Sequence, residues 1–394
     1  LLDRIAEWPK PAAVHIVTLP VTIETNPGEF IKAGRYVADN LLCAQLINLC
    51  GDGEMEPMQE YRPFDESQDW NGKKILLLRA GGFGDIINLT PSCREIKCRW
   101  PNCEVHVASM KLYSCVLENL PYISGRVEYP VSLDALHAYD AWVFFENAVE
   151  KNPRAEKLHL VDLFAEIIGL TKQPWIGVSG MGWLGTDWTD HKKPEYVVTK
   201  EEIGWANVQY PRKPGLRRLC IQPIASGQCR VYDFAKMGHV IDAFAAKKTW
   251  EIYLLGAHES IRMQETPLVH NMTVNPMTFR QSVAILNGSD CLLANDSSLI
   301  HVAGALDIPA VGLYGPFPWK LRTAYYTSVL SISGKGRCSP CFYHESLGKL
   351  TRDPFPKNCP SRAKNHCEVL ASIPEKTIIA KIEKHARPLK LQAL

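Results

Sequence analysis

"ILLLRAGGFGDIINLTP", residues 75–91, reads as a buried strand, a glycine-rich turn and the first turn of a helix. Four apolar residues in a row suit a strand covered on both faces. The turn behind them decides what kind of α/β domain follows. A dinucleotide fingerprint needs glycine at three spaced positions, and the best alignment, Gly82, Gly84 and then Ile87, puts a β-branched residue third. A phosphate loop closes with Gly-Lys-Ser/Thr, whereas this one closes with Gly84-Asp85. Neither nucleotide motif fits. Gly81, Gly82 and Gly84 instead form a tight turn that delivers the carboxylate of Asp85 to a helix start at the carboxyl edge of a sheet. The plain alternative for Asp85 is a helix N-cap, where Asp is among the best residues.

Outward from this turn the chain alternates short apolar runs with helical stretches: "KILLLRA", a helix from about Ile86 to Trp100, "EVHVAS", a helix near Leu112 to Leu120, "RVEYP", "AWVFFE" and a helix around Leu158 to Ile168. That order predicts a parallel sheet built from right-handed crossovers over residues 71–195. Residues 1–70 read as an N-terminal extension with a strand in "AVHIVTLPVTI", a helix in "FIKAGRYVADNLLCAQLINLCG" and a polar connector. Residues 196–216, rich in Pro and Lys, read as edge strands and linker. A second alternation occupies 217–385: "RLCIQPIA", a helix from about Val231 to Ala246, "WEIYLLGA", a helix after Phe279, "CLLAND", a helix from Ser298, and "PAVGLYG". Two such halves predict paired doubly wound domains facing a cleft, with a ligand at the carboxyl ends of the strands.

The bulk numbers narrow the function classes. A net charge of +2 is too small to attract nucleic acid by global electrostatics. No run approaches the roughly 18 apolar residues of a membrane span. The first residues lack the basic, apolar and small-residue order of a signal peptide, so export is not expected from them. Thirteen cysteines cannot all pair within one chain, and most stand singly in apolar segments, as in a reducing compartment. Cys338, Cys341, Cys359 and Cys367 differ, because they cluster in a Pro- and Lys-rich segment, 335–368. They could supply four thiolates to a structural zinc, although the gap from Cys359 to Cys367 is longer than in ordinary zinc knuckles. Reduced thiols or disulfides are the alternatives.

In the second half, "LLANDSSLIHVAGALDIPAVGLYGP", residues 292–316, again gives strand, turn and helix, with Asp296, Ser297 and Ser298 at the helix start. Free N–H groups and hydroxyls at a helix N-terminus suit a diphosphate. His301 lies one turn further in. Asp296 as an N-cap and His301 as a core histidine are the plain alternatives.

Together the two stretches resemble glycosyltransferase family 9, the ADP-heptose:lipopolysaccharide heptosyltransferases. "LLLRAGGFGDIINLTP" is similar to that family's strand, small-residue turn, Gly-Asp and helix with Thr-Pro. "NDSSLIHVAGALDIPAVGLYGP" is similar to its Asn-Asp-Ser/Thr-Gly-x-x-His signature, with Ser298 in place of the glycine. The resemblance spans about residues 73–380. It implies a GT-B fold of two Rossmann-like domains, inverting transfer from a nucleotide-diphosphate sugar and no catalytic metal. It implies Asp85 as general base and, through "IASGQCRVYDFAKM", Arg230 as the cation on the donor phosphates, with Asp296, Ser297, Ser298 and His301 around the diphosphate. Arg230, Val231 and Tyr232 stand where the family has Lys-x-Trp. Cysteines resembling the 338–367 cluster also occur in family members. The donor implied is an ADP-sugar, heptose by default, and the acceptor a glycan or lipid-linked glycan, with protein, small-molecule or nucleic-acid acceptors open. Cytoplasmic residence, peripheral to the inner membrane, fits that chemistry. Two further readings stay open, a non-catalytic GT-B nucleotide- or glycan-binding component of a larger assembly and a GT-B epimerase or hydrolase.

Overall fold

The computed structural model describes residues 14–146, 148–150, 152–170, 192–256, 265–275, 277–343, 355, 359–364 and 366–388. The end of the expected first domain, with the linker's approach from Thr186, and residues 344–354 and 356–358 of the Cys-rich segment lie outside them. The chain divides into two compact units, residues 1–192 and 193–394.

The first unit runs β1 (Val14–Leu19), β2 (Ile23–Asn26), β3 (Glu29–Ile31), β4 (Gly34–Asp39), α1 (Asn40–Cys50), β5 (Glu54–Pro57), β6 (Lys74–Leu78), α2 (Phe83–Arg99), β7 (Glu104–Ser109), α3 (Lys111–Ser114), β8 (Gly125–Glu128), β9 (Val131–Ser132), α4 (Leu133–His137), β10 (Ala141–Phe144) and α5 (Leu160–Ile168). Its parallel sheet has the order β10-β6-β7-β8. Ile75, Leu76, Leu77 and Leu78 are fully buried, as their unbroken apolar run predicts. The strand order reverses between β6 and β10, and that is where doubly wound sheets open a crevice for ligands.

The extension differs from its expectation in two ways. The stretch expected to be one helix is β3, β4 and only then α1; β4 pairs antiparallel with β1, Val17 opposite Tyr36. Helical spacing of apolar residues begins only at α1, and Tyr36 and Val37 suit a strand. Nor is residues 1–70 a separate body. The antiparallel sheet β5-β1-β4-β9 takes its last strand from beyond β8. One continuous core joins Val17, Leu19, Val37 and Leu46 to Leu76, Leu78, Trp142 and Phe144. Burial of such side chains stabilises by about 1.5–3 kcal/mol each, which binds the extension to the parallel sheet.

The second unit runs α6 (Lys200–Gln209), β11 (Arg217–Gln222), α7 (Phe234–Ala246), β12 (Trp250–Leu254), β13 (Val269–Asn271), α8 (Phe279–Asn287), β14 (Cys291–Asn295), α9 (Ser298–Ala305), β15 (Ala310–Tyr314), α10 (Lys320–Thr323), β16 (Val329–Ser333), α11 (Glu368–Ala371) and α12 (Glu375–His385). Its sheet, β13-β12-β11-β14-β15-β16, is parallel throughout. In chain order this is 3-2-1-4-5-6, the doubly wound arrangement, with the switch between β11 and β14. The expected linker instead contains α6. Thr199 and Glu202 form a reciprocal capping box at its start. Arg280 on α8 pairs with Glu202 and lies over the Tyr196 ring, so the segment is part of the second unit.

Candidate functional site

In the first unit the switch point is built around a cation that the sequence reading passed over. Arg79 directly follows β6 and is only 5% exposed. Its Nη2 donates to Asp85 Oδ2 at 2.5 Å and to Glu150 Oε1 at 2.9 Å. Its Nη1 donates to the Phe145 carbonyl at 2.9 Å and lies 3.9 Å from Glu146 Oε2, and its Nε donates to the Gly81 carbonyl at 3.1 Å. Burial works against the cation, but Glu150, Asp85 and Glu146 more than offset it and raise the Arg79 pKa. Asp85 is therefore not a helix cap. The N-cap of α2 is Gly82, which makes no side-chain cap bond, and Asp85 sits in the first turn. Gly82 adopts φ +90° and ψ +98°, and a Cβ there would lie 2.6 Å from Asp85 Oδ2. A Cβ on Gly81 would meet the Tyr113 ring at 2.8 Å. Gly84 completes the turn as a residue of α2 itself.

Three carboxylates share this one guanidinium. Glu146 Oε1 accepts the Ala80 N–H at 2.5 Å. Burial pushes Glu146 up to about 7; Arg79 and the Ala80 N–H pull it down, while Asp39 and Glu150 add to the rise. The cluster carries an excess of negative charge beside a partly exposed Asp85, an arrangement suited to accepting a proton.

In the second unit the residues singled out from the sequence gather at the β11–β14 switch. The Arg230 Nη1 donates to the Asp296 carbonyl at 3.1 Å, and its Nη2 donates to Ser226 Oγ at 2.5 Å. The Asp296 side chain is buried and does not cap α9; the N-cap is Ser297, again with no side-chain cap bond. The N-terminal groups of α9 are partly taken, contrary to the expectation of free donors. Gln222, at the end of β11, accepts the Leu299 N–H on Oε1 at 3.1 Å and also accepts the Ser297 hydroxyl, while its Nε2 lies 3.4 Å from Ser298 Oγ. His301 is buried, with Nδ1 2.9 Å from the Tyr326 hydroxyl. Burial above all pushes it down to about 4, so it is neutral at physiological pH and brings no charge to an anion. The reading missed Gln222 and Arg322. Arg322, buried on α10, has Nε 3.6 Å from Asp296 Oδ2.

All thirteen cysteines are free thiols, which removes the disulfide alternative. Cys338, Cys341, Cys359 and Cys367 wall one cavity of about 20 Å³, together with Cys229, Gly315 and Pro316. That volume holds about one water-sized body. As they stand, the described residues contain no group of three or more His, Cys, Asp or Glu that could hold a metal ion. Among them, no helix is long and apolar enough to cross a membrane.

Two doubly wound α/β units, each with a charged cluster at its switch point, define a glycosyltransferase of the GT-B type. Residues 158–351 match the model of "Glycosyltransferase family 9 (heptosyltransferase)", and the chain belongs to that family. The match takes in Arg230 and the α9 segment but is narrower than the 73–380 expected and does not reach Asp85. Comparison with curated protein sequences gave no match. Among solved structures, ADP-heptose lps heptosyltransferase II of E. coli is 15% identical with a TM-score of 0.54, covering 79% of this chain and 98% of its own. A family 9 glycosyl transferase from Veillonella parvula gives 15%, 0.56, 80% and 98%. The iron-containing dodecameric glycosyltransferase TibC of enterotoxigenic E. coli gives 13%, 0.55, 94% and 90%, and TibC has also been solved with ADP-D-beta-D-heptose. These likenesses establish the fold.

The geometry of the first unit makes two predictions. Gly82→Ala forces a side chain into a positive-φ position already filled by the Asp85 carboxylate, so its melting temperature should fall, at a cost of about 1–3 kcal/mol; an unchanged melting curve would contradict the turn described. Glu146 binds its proton more tightly folded than unfolded, so the native state holds a proton that the unfolded chain has released between its ordinary carboxyl range and about 7. Stability should therefore decline as pH rises through that window, by on the order of 3 kcal/mol. Glu146→Gln should flatten thermal stability between pH 5 and 8 relative to the native chain; parallel profiles would show that Glu146 does not titrate there.

Proposed function

We propose that the chain transfers a sugar, heptose from ADP-heptose by family default, to an acceptor hydroxyl with inversion. The observation that carries this reading is Arg230 beside the N-terminus of α9 at the switch point of the second sheet, within the span that matches family 9. In the step proposed, the acceptor oxygen forms a bond to the sugar C1 as the bond from C1 to the diphosphate oxygen breaks. The electron pair leaves with the nucleoside diphosphate, and the hydroxyl proton passes to Asp85. Arg230 and the amides of α9 meet the developing charge, which gives the leaving group its stabilisation from the protein itself. Arg79 holds Asp85 in place and ionised, ready for the proton. Ser297, Ser298 and Gln222 lie around the same helix start, where a phosphate would compete with the Gln222 side chain for the Leu299 N–H. A glycan or lipid-linked glycan is the acceptor class, and cytoplasmic residence follows from the donor chemistry.

The cysteine cavity supports a second element of this reading. Four thiols around a space for a single atom are the donor set of a thiolate-bound zinc or iron, and TibC is described as iron-containing. Cys338, Cys341, Cys359 and Cys367 would hold the ion, which would supply cross-linking of the 335–368 segment rather than chemistry on the sugar.

Asp85→Asn should lower kcat by at least about a hundredfold while leaving donor affinity nearly unchanged, because the base acts only in the transition state. Wild-type turnover in that variant would refute the mechanism. Elemental analysis of the purified protein should find close to one zinc or iron per chain, lost in Cys338→Ser; less than about 0.1 equivalent in the native protein would dispose of the metal.

A further inference from the structure

We infer that Arg322 is a positioning residue of the donor site: it takes up the charge of Asp296 and thereby leaves Arg230 with an uncompensated positive charge for a diphosphate. The inference rests on the donor reading above and assigns a role within it.

Asp296 is 3% exposed, and its Oδ2 accepts no hydrogen bond. That oxygen lies 3.6 Å from Arg322 Nε and 4.0 Å from Arg230 Nη1. The buried carboxylate is thus balanced by nearby cations, and it stands between two of them. Their surroundings differ. The Arg322 guanidinium lies 4.3 Å over the Phe317 ring and is closed off from solvent, whereas Arg230 is partly exposed and bonded to Ser226 and to the Asp296 backbone. Only Arg230 is placed to meet a ligand.

The charge count gives this arrangement its purpose. Asp296 with Arg230 alone would be a neutral pair, and the carboxylate would repel a diphosphate as strongly as the guanidinium attracts it. With Arg322 included the group carries a net positive charge, and its exposed part is the Arg230 end. His301 contributes none, because burial, with Arg322 and Arg230 acting against Asp296, keeps it neutral. Asp296, expected from the sequence to hold the diphosphate, here sets the position of the arginines instead. A carboxylate that orients a phosphate-binding cation needs a second cation to offset it if the site is to remain attractive to anions.

The test is calorimetric binding of ADP, UDP, GDP and CDP to the native chain, followed by the tightest of them with variants. Arg322→Met should weaken binding about tenfold or more, because Asp296 then neutralises Arg230. The double variant D296N/R322M should recover to within about threefold of the native affinity, since no buried acid remains to oppose Arg230. Arg322→Lys, which keeps the charge but not the planar stacking on Phe317, should retain most of the binding. Unchanged affinity in Arg322→Met overturns the role. So does failure of the folded double variant to recover, or a loss in Arg322→Lys as large as in Arg322→Met, which would mark a packing role only. A native chain that binds none of the four nucleotides refutes the donor reading itself, a result distinct from these.

Discussion

A charge taken out of water has to be balanced where it lands, and in both units the balancing happens at the carboxyl edge of a parallel sheet. In the first unit the buried charge is a cation, Arg79, surrounded by Asp85, Glu146 and Glu150. In the second it is an anion, Asp296, with Arg230 and Arg322 beside it. The two clusters follow the same rule with opposite sign. Each puts its surplus charge on its more exposed members, since the central group is sealed by the strands and turns that carry it.

That sign difference matches the division of labour in glycosyl transfer. A surplus of carboxylates is suited to taking a proton from a hydroxyl, and a surplus of guanidinium is suited to receiving a diphosphate as its bond to the sugar breaks. Neither unit performs both tasks. Arg79 also fixes the turn mechanically, because its Nε bonds the Gly81 carbonyl while its Nη2 holds Asp85. The positive φ at Gly82 is what leaves room for that carboxylate. The glycines of the turn thus serve the acid rather than a nucleotide, which accounts for the failure of both phosphate-binding motifs to fit.

The antiparallel sheet of the first unit follows a different constraint. Strands β1 and β4 present apolar faces that find cover only against the layer holding Leu76, Trp142 and Phe144. The two-residue strand β9 then stitches the sheets together from far along the chain. Extra length at the amino terminus is therefore integral to the fold. In the second unit, Gly315 and Pro316 wall the thiol cavity and lead by way of Phe317 to Arg322, while Cys229 walls it and precedes Arg230. Both arginines of the donor site thus hang from segments rooted at one small cavity.

The strands of the two parallel sheets were legible from sequence because each is a short apolar run, and burial on both faces leaves no other composition open. The turn with Asp85 and the helix start at Ser298 were legible because glycine, Asp and Ser are constrained by backbone geometry in ways that a sequence displays. The β3–β4 stretch was misread as helix, since its pairing with β1 is a contact between segments that no local period reveals. The capping box at Thr199 and Glu202 was written in the sequence and passed over amid Pro and Lys. Arg79 and Arg322 were the hardest to find. An arginine next to a strand or on a four-residue helix is ordinarily a solvated side chain, and nothing local marks it as buried. The sequence by itself determined the alternation, the two switch points and the acids placed there. Only the tertiary structure decided which cations balance those acids, because charge compensation in a protein interior depends on which distant segments the fold brings within about 4 Å.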